Sequence, residues 1–311
     1  MMKALLFLSF LIVSTLAAKP TQFGYISYSS TNIGDDIQAV AVKRLLPEGS
    51  IPIDREYIGE FHHEPAVPTL VNGWFMHTKE IDWYRPDIPP PDVSWPPSEN
   101  ILPFFLSIHF IPEFLPQVLT KEGIAYLKKH APIGARDHAT AKILKEHGID
   151  TFFSGCLTLT LERPTKPRKD VIFAVDLPKN CLEYLRQHSN TRIIAFSHEV
   201  PYDIFLANDH ATRLEYAEWI LDRYAQAKCV ITPRLHATLP CLALNTPVLL
   251  LDLKPEGRLD GLRDLAHRCS QTDFLSGNVP FDWDNPPANP QAYLPIRAAL
   301  LRRVANWVNK Q

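Results

Sequence analysis

Short apolar runs alternate with segments of helical period along most of the chain. Residues 22–27 predict a strand, and residues 33–46 then carry Ile37, Val40 and Leu45 at helical spacing. Further strands are predicted at 69–71 (ended by Asn72-Gly73), 102–109, 132–135, 151–153, 171–175, 192–197, 229–231 and 248–251. Helices are predicted at 120–130, 137–147, 179–187, 211–225, 235–244 and 293–309. Such alternation predicts parallel strands joined by crossover helices.

A charged, proline-bearing segment divides this alternation into two parts. Residues 162–169 read Glu-Arg-Pro-Thr-Lys-Pro-Arg-Lys, which is typical of a linker. We therefore predict an N-terminal α/β lobe over residues 19–163, a linker over 164–169 and a C-terminal α/β lobe over 170–311. Each lobe is expected to be a Rossmann-like, doubly wound sheet. A cleft between the lobes, at the carboxyl ends of their strands, would be the default ligand site.

A proline-rich insertion is predicted within the first lobe at residues 84–103. It holds seven prolines, and Trp83 and Trp95 lie nearby. Proline removes backbone donors and stiffens the chain, so the segment is expected to be extended. It is either a rigid surface loop or a lid that offers an aromatic wall to a sugar.

The first 18 residues resemble a targeting segment. Lys3 precedes an apolar run over residues 4–13, and small residues follow, which is the pattern of a secretory signal peptide. An uncleaved signal anchor is the alternative, although the run is shorter than the ~20 residues of a membrane-spanning helix. Either interpretation predicts the secretory pathway (Golgi or ER lumen), the periplasm or the extracellular space, with membrane contact only through this segment.

Composition excludes several classes of protein. The hydrophobic fraction of 46% and charged fraction of 21% are ordinary for a globular protein and exclude a disordered chain. A net charge of −2 argues against a nucleic-acid partner. The 12 glycines form neither GxGxxG nor GxxxxGK[ST], so dinucleotide and P-loop fingerprints are absent. The 5 cysteines form no CxxC motif and favour buried thiols, with one or two disulfides left open.

The strongest chemical signal is Thr232-Pro233-Arg234-Leu235-His236, between a predicted strand and helix. Pro233 suits the first helical turn. Arg234 and His236 would then lie at a helix N-terminus, where backbone amides and the helix dipole favour an anion. A guanidinium can make a forked contact to phosphate or carboxylate, and an imidazole can transfer a proton near neutrality. The alternative is an ordinary helix start with a surface arginine and a half-buried histidine.

Two further segments follow predicted strands. Arg136 follows the strand at 132–135, and Asp137 precedes a helix that it is suited to cap. In Asn32-Ile33-Gly34-Asp35, either Asn32 or Asp35 would cap the next helix. The other would bind sugar hydroxyls or act as a base.

No metal site is predicted. Asp282-Trp283-Asp284 matches a DxD motif but lies among prolines near the C-terminus, which favours a loop. His62-His63-Glu64 lacks the spacing of a helical zinc site.

Taken in order, the three segments resemble the polysaccharide pyruvyl transferase family. The resemblance rests on Asn32 to Asp35, on Arg136-Asp137 with the later Gly148-Ile149, and on Arg234 to Val248 with its Arg-Leu-His start and Pro-Val end. It covers roughly residues 22–255. The family usually shows a glycine-rich turn where this chain has Asn72-Gly73-Trp74.

The resemblance implies a two-lobed fold similar to GT-B glycosyltransferases, with no metal and no cofactor. It places Arg136, Arg234 and His236 at positions expected to hold phosphoenolpyruvate, and we add Leu235, Asn32 and Gly34 as substrate contacts. The implied activity is transfer of pyruvate from this anionic donor to hydroxyls of an oligosaccharide or polysaccharide as a ketal. Two arginines suit a phosphate and a carboxylate. His236 is the candidate acid/base, assisted by Asp35 or Asp137.

Two alternatives stay open at this point. A GT-B glycosyltransferase could hold the diphosphate of a nucleotide sugar at the same Arg-Leu-His turn. A non-catalytic relative could bind a glycan without turning over either donor.

Overall fold

A computed structural model describes residues 22–76, 95–201, 209–253 and 257–311, with the backbone alone at Arg258. The targeting segment over 1–18 and residues 84–94 of the insertion lie outside the described residues. None of the helices in the described stretches is both long enough and apolar enough to cross a membrane. The five cysteines are all buried free thiols.

The first sheet joins six of the described strands in the order β2-β1-β3-β4-β5-β6, and every neighbouring pair is parallel. The strands are β1 (Gly24–Ser27), β2 (Ile51–Asp54), β3 (Val67–Phe75), β4 (Ile101–Phe110), β5 (Ile133–Ala135) and β6 (Thr151–Phe153). The helices along this part of the chain are α1 (Ile33–Lys43), α2 (Leu115–Val118), α3 (Lys121–Lys129) and α4 (His138–Glu146).

The second sheet has the order β11-β10-β9-β7-β8, again with parallel pairs throughout. Its strands are β7 (Val171–Val175), β8 (Arg192–Phe196), β9 (Cys229–Thr232), β10 (Val248–Leu251) and β11 (His267–Cys269). The described helices here are α5 (Lys179–His188), α6 (His210–Gln226), α7 (Leu235–Ala243), α8 (Gln271–Ser276) and α9 (Leu294–Val308). The predicted α/β architecture of two doubly wound lobes is therefore confirmed, and it is consistent with a GT-B-like arrangement.

Strand order reverses at one point in each sheet. In the first sheet, β1 has β2 on one side and β3 on the other; in the second, β7 lies between β8 and β9. Ligands bind outside the carboxyl ends of strands at such switch points. The residues that follow β1, β7 and β9 are therefore the ones to consider first.

The structure corrects the predicted end of β3. Asn72-Gly73 does not end the strand, because β3 continues to Phe75 through a register shift between Val71 and Gly73. Gly73 has a φ of 114°, and a Cβ there would stand 2.6 Å from the Tyr28 hydroxyl. The local pattern Asn-Gly has the composition of a turn, but here it lies inside β3. The extra residue at the register shift is on β4, where the step from Phe105 to Ile108 faces Val71 to Gly73 and Ser107 has a φ of 66°.

The described end of the insertion is also different from the prediction. Ile101 to Pro103 belong to β4 and pair with β3, so they are sheet residues rather than an extended loop. Trp95 is buried, and its ring packs against Phe75 and Phe110 at centroid distances of 5.6 and 5.2 Å. It is therefore a core residue and not an aromatic wall open to a sugar.

The two halves of the chain contact each other through α9 and α6. Trp307 of α9 packs on Phe23 and Phe104 of the first sheet, at centroid distances of 5.3 and 5.1 Å. A buried ion pair joins Arg213 of α6 to Asp36 of α1 at 2.9 Å. Residues 161–170 contain no helix or strand. The lobe boundaries at 163 and 170 stay a prediction.

Candidate active site

A cleft lies where the switch points of the two sheets face each other. It encloses about 490 Å³, part of it open to solvent. Both halves of the chain contribute to its walls. The lining residues are Asn32, Trp74, Arg136, His198, Pro233, Arg234, Leu235, His236 and Leu259. Five of the predicted site residues thus line one cleft: Asn32, Arg136, Arg234, Leu235 and His236.

Arg136 is a buried cation that has no ion-pair partner in the described parts of the chain. It directly follows β5, its backbone N–H donates to the carbonyl of Ile108 at 2.8 Å, and the residue is 2% exposed. Within the described part of the chain, its Nε has no hydrogen-bond partner and no carboxylate forms an ion pair with it. A buried charge is costly unless it is paired. Because Arg136 lines the cleft, an anionic ligand there would provide the missing partner.

Two helices begin at the cleft and add to its positive character. Asn32 caps α1, since its Oδ1 accepts from the Gly34 N–H at 2.9 Å. Arg234 occupies the N-cap position of α7 and makes no side-chain cap. A Cβ on Gly34 would stand 3.1 Å from the Cβ of His236, so glycine allows the two helix starts to approach closely. Gly34 therefore acts in packing, behind the cleft surface, and the amino ends of both helices favour an anion.

Arg234 differs from Arg136 in already having carboxylate partners. Its Nε lies 2.8 Å from Asp176 Oδ2, and an Nη lies 3.0 Å from Glu199 Oε1. The side chain is 31% exposed. The predicted forked contact between the Arg234 guanidinium and an anionic ligand therefore requires that ligand to compete with these two carboxylates.

Asp176 organises this side of the cleft and was not singled out from the sequence. It follows β7 with a φ of 52°, in the left-handed region that non-glycine residues seldom adopt. Its carboxylate accepts from Ser197 Oγ at 2.5 Å and from the His198 N–H at 3.0 Å, besides Arg234. Strained backbone of this kind clusters at functional sites. In the sequence, the signal that could have pointed to Asp176 was its position directly after a buried strand.

His198 lines the cleft and was also missed by the sequence reasoning. It is fully buried, its Nε2 lies 2.6 Å from the Tyr224 hydroxyl, and its carbonyl accepts from the Ile33 N–H at 2.9 Å. Burial lowers the pKa of His198 to about 4; Asp176 opposes this and Arg234 adds to it. The sequence signal was the same as for Arg136 and Arg234, a polar residue just after a strand.

The two candidate carboxylates lie away from the lining of the cleft. Asp35 accepts from Ser30 Oγ at 2.7 Å and from Gln38 Nε2 at 3.1 Å, and lies 3.8 Å from Arg55. It is 2% exposed, so these contacts tie it to the interior. The assistance in catalysis predicted for Asp35 or Asp137 stays a prediction.

Asp137 makes the contacts of a helix cap. Its Oδ1 accepts from the Thr140 N–H at 2.8 Å, and its Oδ2 lies 2.6 Å from His109 Nδ1. Burial raises the pKa of Asp137, but the hydrogen bond and charge of His109, with the charge of Arg136, lower it below its usual value. The carboxylate is therefore held ionised beside the buried Arg136.

The DxD segment has a structural explanation. Asp284 accepts from Ser189 Oγ, the Asn190 N–H and the Thr191 N–H, and Asp282 accepts from the backbone amides of Asp284 and Asn285. Asp284 thus holds the loop against the residues that precede β8, and Asp282 stabilises the turn of the loop itself. The described residues also hold no group of three or more His, Cys, Asp or Glu side chains that could bind a metal. Independence from metal stays a prediction.

The fold and the cleft together define a two-lobed α/β protein with a cationic ligand site between its lobes. A model of the polysaccharide pyruvyl transferase family matches residues 32–255, well over half of the chain. The chain belongs to the polysaccharide pyruvyl transferase family, as the sequence motifs indicated. Membership implies a transferase that modifies glycans and uses a polysaccharide acceptor. A search of the curated proteins finds no match.

Proposed function

We propose that the protein transfers pyruvate from phosphoenolpyruvate to two hydroxyls of a sugar in a polysaccharide, forming a ketal. The observation that carries this proposal is the buried Arg136 guanidinium, which lines the cleft with no ion-pair partner among the described residues. Phosphoenolpyruvate carries a phosphate and a carboxylate on one small carbon frame. The starts of α1 and α7 supply further positive potential for two charged groups.

The reaction needs no oxidant or reductant. Protonation of C3 makes C2 electrophilic, and the oxygen of the first sugar hydroxyl bonds to C2 as its proton leaves. The C2–O bond to phosphate then breaks, and phosphate departs with the electron pair. The second hydroxyl closes the ketal at C2. Of the two hydroxyl protons, one balances the proton added to C3 and the other leaves with phosphate.

The residues of the cleft suit separate parts of this reaction. Arg136 and the helix starts bind the charges of the donor and hold C2 in place. His236, on the first turn of α7, is the candidate that delivers the proton to C3. A positioned proton-transfer group typically contributes about 10²- to 10⁴-fold in rate.

The proposal includes action outside the cytosol, supported by the signal-like residues 1–18. Phosphoenolpyruvate is made in the cytosol, so this placement requires its import. N-terminal sequencing and intact mass of the secreted protein test the location, and a full-length cytosolic form would contradict it.

Phosphate release from phosphoenolpyruvate, measured against a panel of galactose- and mannose-ended glycans, tests the activity. The expected product gains mass and one carboxylate. A glycan that gains an uncharged hexose from a nucleotide sugar would instead identify a glycosyltransferase. Acceptor binding with neither product would identify a non-catalytic relative.

A further inference from the structure

His198 lies at the junction of the two halves of the chain, and its backbone is fixed from both sides. Its N–H donates to Asp176 Oδ2 at 3.0 Å, and its carbonyl accepts from Ile33 at the start of α1, at 2.9 Å. His198 is among the residues that line the cleft, together with Arg136. His198 Nδ1 has no hydrogen-bond partner in the described part of the chain, although the residue is fully buried.

The contact with Tyr224 determines which ring nitrogen carries the proton. The Tyr224 hydroxyl lies 2.6 Å from His198 Nε2, and it has no other partner among the described residues. If Nε2–H donated, both the hydroxyl proton and the Nδ1 lone pair would lack partners. If the hydroxyl donates to Nε2, Nδ1–H is the single group left. A buried polar group left without a partner destabilises the fold, so the arrangement with fewer such groups is favoured.

The ring is neutral in this environment. Among the described residues, Asp176 and Arg234 act on it from positions just after β7 and β9, and the Tyr224 hydroxyl contacts it from α6. Burial dominates and lowers the pKa of His198 to about 4, so near neutral pH the imidazole offers a donor without a charge. A neutral donor can contact an anion without adding a second buried cation beside Arg136.

We infer that His198 donates its Nδ1–H to an anionic oxygen of the donor bound in the cleft, and that Tyr224 is a positioning residue that fixes this tautomer. The inference rests on the proposed function for the identity of the donor, phosphoenolpyruvate. It adds a contact from the end of β8 to a cleft whose five lining residues predicted from the sequence follow β1, β5 and β9.

A matched pair of substitutions separates the two nitrogens of the ring. In His198→Asn the amide nitrogen can take the place of Nδ1, whereas His198→Gln reaches the place of Nε2 and keeps only the Tyr224 contact. Binding of phosphoenolpyruvate and of inorganic phosphate is measured for both, with kcat and KM. We expect binding about 10- to 100-fold weaker in the Gln variant, the range of one hydrogen bond to a charged group, and within a few-fold of the wild type in the Asn variant.

Tyr224→Phe tests the positioning role. Without the hydroxyl, both tautomers become accessible, and we expect weaker donor binding with a smaller effect than His198→Gln. Tyr216→Phe, on the same helix but 39% exposed, is the control and should bind both anions normally.

Selective ¹⁵N NMR of the histidines in the intact wild-type protein reports the tautomer without any change at the site. An Nε2–H tautomer at His198 would overturn the inference, as would equal losses in the Asn and Gln variants. Wild-type protein that binds phosphate but releases none from phosphoenolpyruvate would contradict the proposed function alone, and the Asn–Gln contrast in phosphate binding would still decide the role of His198. Failure to bind either anion would overturn both.

Discussion

Arg234 Nε donates to Asp176 Oδ2 at 2.8 Å, so the arginine that begins the Arg-Leu-His turn is held by a carboxylate from the neighbouring strand end. Glu199 pairs with the same guanidinium at 3.0 Å. Arg136, on the opposite side of the cleft, has no such partner in the described residues. The two arginines that the family resemblance assigns to the donor therefore differ: under the proposed function an anion at Arg136 would meet no competing ion pair, whereas an anion at Arg234 would have to displace Asp176 or Glu199.

Glu199→Gln should strengthen donor binding, because it removes a competing charge while keeping a side chain of the same shape. The Glu199 side chain is 50% exposed, and pairs of this kind contribute at most about 1 kcal/mol. We expect the KM for phosphoenolpyruvate to fall about two- to fivefold. Glu218→Gln, which removes the exposed Arg44–Glu218 pair, is the matched control and should leave KM unchanged. A higher KM in Glu199→Gln would contradict the prediction.

Arg136→Met should have opposite effects on stability and on binding. Without a ligand, the buried guanidinium has no ion-pair partner among the described residues, so replacement by an apolar side chain of similar length is expected to maintain or raise the melting temperature. The stabilisation that phosphate gives to the wild type should disappear in the variant. Thermal unfolding with and without phosphate measures both effects. Destabilisation without ligand, combined with normal stabilisation by phosphate, would show that Arg136 is structural.

Much of the architecture could be predicted from the sequence because buried parallel strands and amphipathic helices leave strong periodic signals. Two short edge strands were missed. β2 is a four-residue edge strand containing Pro52, and β11 has only three residues. The continuation of β3 was missed because Asn72-Gly73 has turn composition, whereas pairing with β4 carries the strand on to Phe75.

The candidate site was predictable where chemistry and a helix start coincide, as at Arg136 and Arg234. Asp176 and His198 were missed because single polar residues after strands are common. The two come together only in the folded second sheet, where the His198 N–H donates to Asp176 Oδ2 at 3.0 Å. Asp35 has the right residue type but is directed by Ser30 and Gln38 into the interior. The direction of a side chain at a helix start depends on tertiary neighbours that local sequence does not show.

His236→Ala should reduce kcat far more than donor binding, since its proposed role is proton transfer to C3. A loss of about 10²- to 10⁴-fold in kcat is expected, with phosphoenolpyruvate affinity changed only a few-fold. Single-turnover phosphate release and equilibrium binding separate the two. His147→Ala, at an exposed position after α4, is the control. Undiminished turnover in the His236 variant would remove the catalytic role.

Activity should survive treatment with EDTA. The charge-binding groups of the cleft are a guanidinium and helix starts, which can bind phosphate and carboxylate without a bridging cation. Phosphate release is measured after chelation and again after a divalent ion is restored. Activity that is lost and then recovered would point to a metal requirement and return attention to Asp282 and Asp284.

Asp137→Asn should lower stability in a pH-dependent way that identifies the carboxylate as structural. Asparagine can still cap α4, so the change removes mainly the charged contact with His109 at 2.6 Å, worth roughly 1.5–3 kcal/mol. The pKa of Asp137 is lowered in the folded protein, so the native state binds fewer protons than the unfolded state as pH falls below about 4. The stability difference between wild type and variant should therefore be full at neutral pH and vanish as pH falls through the native pKa. Urea unfolding at several pH values measures it. If Asp137→Asn instead abolished kcat with no change in unfolding free energy, the carboxylate would be acting in catalysis.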